Sequence, residues 1–256
     1  MVICFDVGNT DIVAGIFEND KIVKHMRFRY VKGLSEFEYL PFLHEKMNVN
    51  NVDISKITGC VLCCVAKNTA DSLALAIETL FAVPPVIFKN DKTCRLDIKG
   101  KDPNEVGTDI VAACMAAKEN HTMPCIVIDM GTATTVTAMD KNAAIIGVSI
   151  IPGVFTSMWA LRDRTGLPVD ETLARPTKAI GTDTPESLAS GIVLGSAYCI
   201  DGMIEAFEEE IGSKCSVVAT GGASQFIIGS CKREITLNNN LLLEGLYCYY
   251  KNSIIK

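Results

Sequence analysis

The chain has 256 residues, 48% hydrophobic and 21% charged, with a net charge of −6 and no basic run. This composition is globular rather than disordered, and the length suits two cores of about 100–150 residues each. The acidic balance argues against nucleic acid as the main partner. It leaves an anionic small molecule open, because backbone amides and a metal ion can hold one without altering net charge. The eleven cysteines are an odd number scattered along the chain. Free use of thiols, with no charged leader in Met-Val-Ile-Cys-Phe-Asp, suggests a reducing cytoplasm. No apolar stretch approaches the roughly 18 residues of a membrane span, so no membrane is expected.

In chain order, Val2–Phe5 reads as a strand, Asp6-Val7-Gly8-Asn9-Thr10 as a tight polar turn, and Ile12–Phe17 as a second strand. Ser35 to Met47 reads as a helix capped by Ser35, with Glu38 at the capping-box position. Ile57–Val65 is a buried strand containing Cys60 and Cys63. Their C-x-x-C spacing admits a redox or zinc reading, but the sequence supplies no partners for it. Asn68 to Phe81 has helical spacing and stops at Pro84-Pro85, ahead of a short strand at Val86–Phe88. Gly107 to Lys118 is a helix entered through Gly-Thr-Asp.

The pattern then restarts. Apolar Cys125–Ile128 leads into Asp129-Met130-Gly131-Thr132-Ala133 and a strand over Thr134–Met139. The same strand, Asp-x-Gly turn and strand therefore open each half of the chain, which points to duplication. Thr156 to Leu161 and Glu186 to Ile211 read as helices, the second carrying Gly191 and Gly195 at i and i+4. Small residues at that spacing suggest close packing or a subunit interface. Ser216–Thr220 is a strand running into Gly221-Gly222, and Leu241 to Tyr250 is a closing amphipathic helix. The expected boundaries are 1–120 and 121–256, with the last helix able to pack back on the first domain.

Phosphoryl transfer needs backbone donors at the phosphates, a metal held by carboxylates, and a group to orient or deprotonate the attacking oxygen. Gly8 and Gly131 would let successive N–H groups approach a phosphate, with Asn9, Thr10, Thr132 and Thr134 beside them. Asp6 and Asp129 end their strands and are expected to face one another across a cleft, where carboxylates suit hard cations. Gly221-Gly222 would allow close approach of the adenosine part. The competing devices G-x-x-x-x-G-K-[ST], G-x-G-x-x-G and G-x-S-x-G are absent from the sequence, and His25, His44 and His121 form no metal motif.

Taken together, Asp6-Val7-Gly8-Asn9-Thr10, Gly107-Thr108-Asp109, Asp129-Met130-Gly131-Thr132-Ala133-Thr134, Ile151-Pro152-Gly153, Thr165-Gly166-Leu167-Pro168, Thr220-Gly221-Gly222 and Leu243-Glu244-Gly245-Leu246 occur in an order that resembles type III pantothenate kinases. The resemblance spans nearly the whole chain. It implies an α/β fold of two duplicated ribonuclease H-like domains, as in actin-like ATPases, with a cleft between them. The implied activity is ATP-dependent phosphorylation of pantothenate to 4'-phosphopantothenate, the first step toward coenzyme A. It also implies a homodimer that needs Mg²⁺ and a monovalent cation, K⁺ or ammonium. By position, Asp109 corresponds to the catalytic base, and Asp6, Val7, Gly8, Asn9, Thr10, Asp11, Ile12 and Val13 to the first ATP loop. Thr132, with Gly221 and Gly222, falls on the second ATP side, and Asp129 together with Asp6 on the metal positions. Gly107, Thr108, Asp109, Ile110 and Thr184 fall on substrate positions. Gly-Thr-Asp also suits a plain helix N-cap at Asp109, and one residue can do both.

Two positions depart from the family. Ile110 stands where an arginine follows the Asp, and Gly100 where an aromatic is usual. Losing a charge-assisted contact to a carboxylate costs about 1.5–3 kcal/mol. Three readings follow: a pantothenate kinase that holds the acid through Lys99, Lys101, Arg162 or Arg164; a kinase for another hydroxylated acceptor; or a non-catalytic nucleotide-binding regulator.

Overall fold

A computed structural model describes residues 1–66, 69–100, 102–168 and 174–255. The chain divides into two compact units, one of Met1–Arg95, Asp102–Ala116 and Leu242–Lys256, the other of Leu96–Lys101 and Ala117–Leu241.

In the first unit, β1 (Val2–Val7), β2 (Asp11–Glu18) and β3 (Lys21–Arg29) form an antiparallel meander. Helix α1 (Glu36–Val49) then leads to β4 (Gly59–Cys64), and α2 (Ala70–Phe81) to β5 (Val86–Ile87), both strands parallel to β1. The strand order is β3-β2-β1-β4-β5. Glu38 reaches back to α1's cap, accepting from the Ser35 N–H at 2.9 Å and its hydroxyl at 2.7 Å, as the sequence led us to expect. Ile3, Phe5, Val7, Ile12, Tyr39, Leu43, Leu62, Leu73 and Ile77 fill the core between sheet and helices. Strand β3 was not anticipated. Its Lys, His and Arg residues alternate with apolar ones, and only Met26 and Phe28 are buried. The expected helix start at Asn68 lies outside the described residues.

Helix α3 (Thr108–Asn120) connects to β6 (Cys125–Met130), β7 (Ala133–Met139) and β8 (Ile145–Pro152), again an antiparallel meander. After α4 (Val154–Thr165) and α5 (Thr184–Ala189) comes a five-residue π-helical segment, Ser190–Leu194, and then α6 (Gly195–Ile211). Strand β9 (Ser216–Thr220), the short α7 (Ser224–Ile227) and β10 (Thr236–Leu237) complete the second unit. Its strand order is β10-β9-β6-β7-β8, with β9 parallel to β6 and β10 to β9. Read from the meander outward, this is the topology of the first sheet, so the duplication seen in the Asp-x-Gly turns extends to the whole sheet.

The closing helix α8 (Leu241–Ile254) packs on the first unit through glycine notches. Leu243 seats at Gly15 and Tyr250 at Gly59, and Gly245 lies on the Ala112 carbonyl with no room for a Cβ. Tyr247 stacks on Phe17 at 4.2 Å.

The expected single helix over Glu186–Ile211 is broken by the π-helical segment. Among the described residues nothing packs closely on Gly191 and Gly195: a Cβ at either meets nothing within 4 Å. The run Thr184–Ile211 contains a window of mean hydropathy 1.4, long and apolar enough to cross a membrane by length and composition. Reading only unbroken apolar stretches overlooked it. In this fold Val193, Ala197, Ile200 and Ile204 of the run belong to the core of the second unit.

Candidate functional site

In the first unit, β1 and β2 pair Asp6 with Val13 and Val7 with Ile12, leaving Gly8, Asn9 and Thr10 at the tip. The Gly8 N–H donates to the Asp11 carbonyl at 3.0 Å, and the Tyr30 N–H fastens the Thr10 carbonyl at 2.9 Å. Arg27 pairs with the Asp11 carboxylate at 2.7 Å. The Gly8 amide is thus spent on closing the hairpin, so its contribution to a ligand is its missing side chain. A Cβ there would meet only the Asp11 carbonyl, at an ordinary 3.4 Å. The hairpin itself has no need of glycine.

The second hairpin repeats the design one residue shorter. Met130 pairs with Thr134, and the Gly131 N–H donates to the Ala133 carbonyl at 3.0 Å, leaving only Gly131 and Thr132 at the tip. A Cβ at Gly131 would again meet nothing closer than 3.5 Å. Asp129 pairs in register with Thr220 of β9. The chain then turns through Gly221 at φ +89°, where a Cβ would run into the Asp129 carboxylate. The Ser224 hydroxyl, fully buried, donates to the Thr220 carbonyl at 2.8 Å and ties down the Gly221-Gly222 turn. Gly153, of Ile-Pro-Gly, lies against the Gly131 and Thr132 carbonyls, and the Thr156 hydroxyl donates to the Thr132 carbonyl at 2.7 Å.

Asp109 is the second residue of α3 rather than its cap, and its carboxylate accepts from the Ile110 N–H at 2.9 Å. A Cβ at Gly107 would come within 2.4 Å of that carboxylate and force it to shift. The buried Cys63 donates its thiol to the Thr108 hydroxyl at 3.4 Å. Burial and then the Asp6 charge, with Asp109 adding to them, push that thiol well above its ordinary range. Asp6, Cys63, Thr108 and Asp109 therefore share one neighbourhood. In the sequence Cys63 reads as a buried-strand residue, or as half of a C-x-x-C, and not as a neighbour of Asp6. Its signal was strand register, since β4 sets Cys63 beside Asp6. Cys60 and Cys63 lie three apart on one strand, so their side chains point to opposite faces and form no redox pair. All eleven cysteines are free thiols.

Thr184 begins α5, exposed, behind the Asp183 cap that accepts from the Glu186 N–H at 2.8 Å. Lys178 and then Thr182 hold the Glu186 carboxyl at about 2, pinning this turn. Of the cations considered for an acid group, Lys99 is engaged by Asp140 at 2.5 Å and Arg162 by Asp163 at 3.1 Å. Arg164 is exposed in the last turn of α4, and Lys101 lies outside the described residues. Gly100 is exposed with open space around it. A cavity of about 420 Å³ in the second unit is lined by Met130, Thr134, Ile151, Leu188, Gly191 and Gly195 among others.

Among the described residues no group of three or more His, Cys, Asp or Glu side chains gathers to hold a metal.

The sequence model of one family, described as type III pantothenate kinase, matches residues 2–206. A type III pantothenate kinase of Roseiflexus castenholzii is 31% identical over 251 residues, covering 98% of each chain. One from Halalkalibacterium halodurans is 30% identical, covering 99% of this chain and 100% of its own. Among solved structures, a Campylobacter jejuni protein described as a Baf family transcriptional activator superposes with a TM-score of 0.62 at 16% identity, covering 98% of both chains. The Clostridium difficile activator of 2-hydroxyisocaproyl-CoA dehydratase, with bound ADPNP, has a TM-score of 0.55 at 12% identity, covering 98% of this chain and 95% of its own. MreB 5 of Spiroplasma citri, bound to AMPPNP, has 0.52 at 12%, covering 98% and 96%. These identities speak for fold alone, and the fold is that of the actin-like ATPases and sugar kinases. The sequence match covers most of the chain, and with it this chain belongs to the type III pantothenate kinase family.

Proposed function

We propose that this chain transfers the γ-phosphate of ATP to the hydroxyl of pantothenate, giving 4'-phosphopantothenate, the first step toward coenzyme A. One observation supports this most: Gly8 and Gly131 occupy equivalent hairpin tips where the fold would accept a side chain. Glycine there answers to something approaching from outside, as a phosphate does. The tip residues Asn9, Thr10 and Thr132 contact the nucleotide, and Gly221 and Gly222 leave room beside it. Asp109 accepts the proton of the attacking hydroxyl, and Gly107, Thr108, Ile110 and Thr184 surround the acceptor. Such a reaction is accelerated by positioning and charge compensation more than by covalent chemistry.

Asp6 would hold Mg²⁺, and Asp129 a monovalent cation, K⁺ or ammonium. When bound, these ions neutralise charge on the phosphates. The chain works as a homodimer in the cytoplasm, without nucleic acid or membrane. The exposed Trp159, Tyr198 and Phe226, with the open stripe at Gly191 and Gly195, support a second copy as the cover for that face of the second unit.

Ile110 favours a second reading, in which the acceptor is a less acidic hydroxyl compound. The deciding experiment is phosphate transfer from ATP with Mg²⁺ and K⁺ to pantothenate and to uncharged analogues. Absence of phosphopantothenate removes the first reading, and an uncharged analogue outcompeting pantothenate establishes the second. Ile110→Arg is expected to lower the KM for pantothenate about ten- to a hundredfold, the worth of a charge-assisted hydrogen bond.

A further inference from the structure

Parallel pairing of β4 with β1 sets Cys63 in register with Asp6. Residues paired across a ladder stand side by side on one face, so the thiol lies next to the carboxylate that ends β1. Alternation along β4 sends Cys60 and Leu62 into the core behind the sheet, and Cys63 the other way. There the thiol meets the hydroxyl of Thr108, the first residue of α3, at 3.4 Å. The next residue is Asp109, whose carboxylate is held at the helix start by the Ile110 N–H at 2.9 Å. One short chain of contacts thus joins the Asp6 hairpin, through β4, to the head of α3.

The chemistry of the thiol suits this place. The thiol is fully buried, and it donates to the Thr108 hydroxyl. A filler of the core would need only the right volume, and valine would serve as well.

We propose that Cys63 is a positioning residue for phosphoryl transfer: its thiol ties the first turn of α3 to the end of β4, fixing the Asp109 carboxylate with respect to Asp6. The inference rests on the reading of Asp109 as the base.

The test compares Cys63→Val and Cys63→Ser with the unaltered protein at saturating ATP, and completes a cycle with Thr108→Val and the double variant. Cys63→Val is expected to lower kcat about tenfold, the worth of one hydrogen bond, with the KM for ATP within about twofold. Cys63→Ser keeps a donor and is expected to stay within about threefold of the unaltered protein. The Cys63→Val loss should largely vanish in the Thr108→Val background. Hydrogen exchange supplies an arm independent of turnover: the amides of residues 108–111 should open faster in Cys63→Val and not in Cys63→Ser. Equal kcat and exchange in all three proteins overturns the proposal, as does a serine variant as impaired as the valine one. If the unaltered protein makes no phosphopantothenate, the acceptor reading fails by itself. The exchange arm then still decides whether the tie exists. Should Cys63→Val not fold, Cys63→Ala takes its place in every arm.

Discussion

Two kinds of glycine line the hairpins, and they answer to different demands. Gly221 is required by the chain itself: its φ of +89° disfavours any side chain, and a Cβ would strike Asp129 and the Met130 backbone. Gly221→Ala should therefore cost stability, about 1–3 kcal/mol in chemical denaturation. Gly8 is not required by the chain, because a Cβ there sits at an ordinary 3.4 Å. Gly8→Ala should leave the denaturation midpoint nearly unchanged and weaken ATP binding in calorimetry. A change in stability with intact binding would invert that assignment. Asp109→Asn keeps the shape of the first turn of α3 and removes the proton acceptor. A drop in kcat of about 10²–10⁴ is expected, with little change in the KM for ATP. Both tip glycines were legible in the sequence, because Asp-x-Gly between two strands is a local pattern, whereas Asp109 was singled out only through the family resemblance. Cys63 was not, since what distinguishes it from any core cysteine is the strand beside it.

Helix α6 carries a buried acid that the sequence did not single out. Glu208, 5% exposed, accepts from the Cys215 N–H at 3.0 Å and pairs with Lys214 and Arg233, each at 2.6 Å. Burial would raise its carboxyl, but the Lys214 and Cys215 hydrogen bonds and the nearby positive charges outweigh it and hold the group below the usual range. A depressed folded-state value contributes stability above the unfolded value, about 4.3 for Glu. That stability is lost as pH falls through the folded value. Urea midpoints should decline more steeply below about pH 4.3 in the native protein than in Glu208→Gln. At neutral pH, Glu208→Ala should destabilise by about 1–3 kcal/mol, because the Cys215 N–H and the half-buried Arg233 lose their acceptor. The Ser35 cap and most strands with apolar runs were readable, their signals being local. β3 was not, because from His25 to Arg29 polar residues alternate with Met26 and Phe28 and leave no run, whereas the apolar β8 was overlooked although its run stands in the sequence. The π-helical break at Ser190–Leu194 also has no local marker in its residues.

At the level of the whole molecule, two sheets of identical strand order show that the duplication is architectural. The second unit exposes Trp159, Tyr198 and Phe226 as well as the open Gly191/Gly195 stripe. Sedimentation should give the mass of two chains, and Tyr198→Glu should shift it to one; an unaltered protein of single-chain mass would remove the homodimer. The sequence by itself determined the fold class, the two Asp-x-Gly hairpins and the family, because each rests on short motifs whose order along the chain carries the information. Only the tertiary structure decided that the Gly8 and Gly131 amides close their own turns, that Asp129 leans on Gly221, and that a thiol links Asp6 to the head of α3. The first depends on the exact geometry of each hairpin turn; the other two depend on which strand lies beside which, and in parallel pairing the partners are far apart in sequence. The acidic balance, read first as compatible with an anionic ligand, stands beside a sharper statement: the hairpin tips keep glycine where the fold does not ask for it.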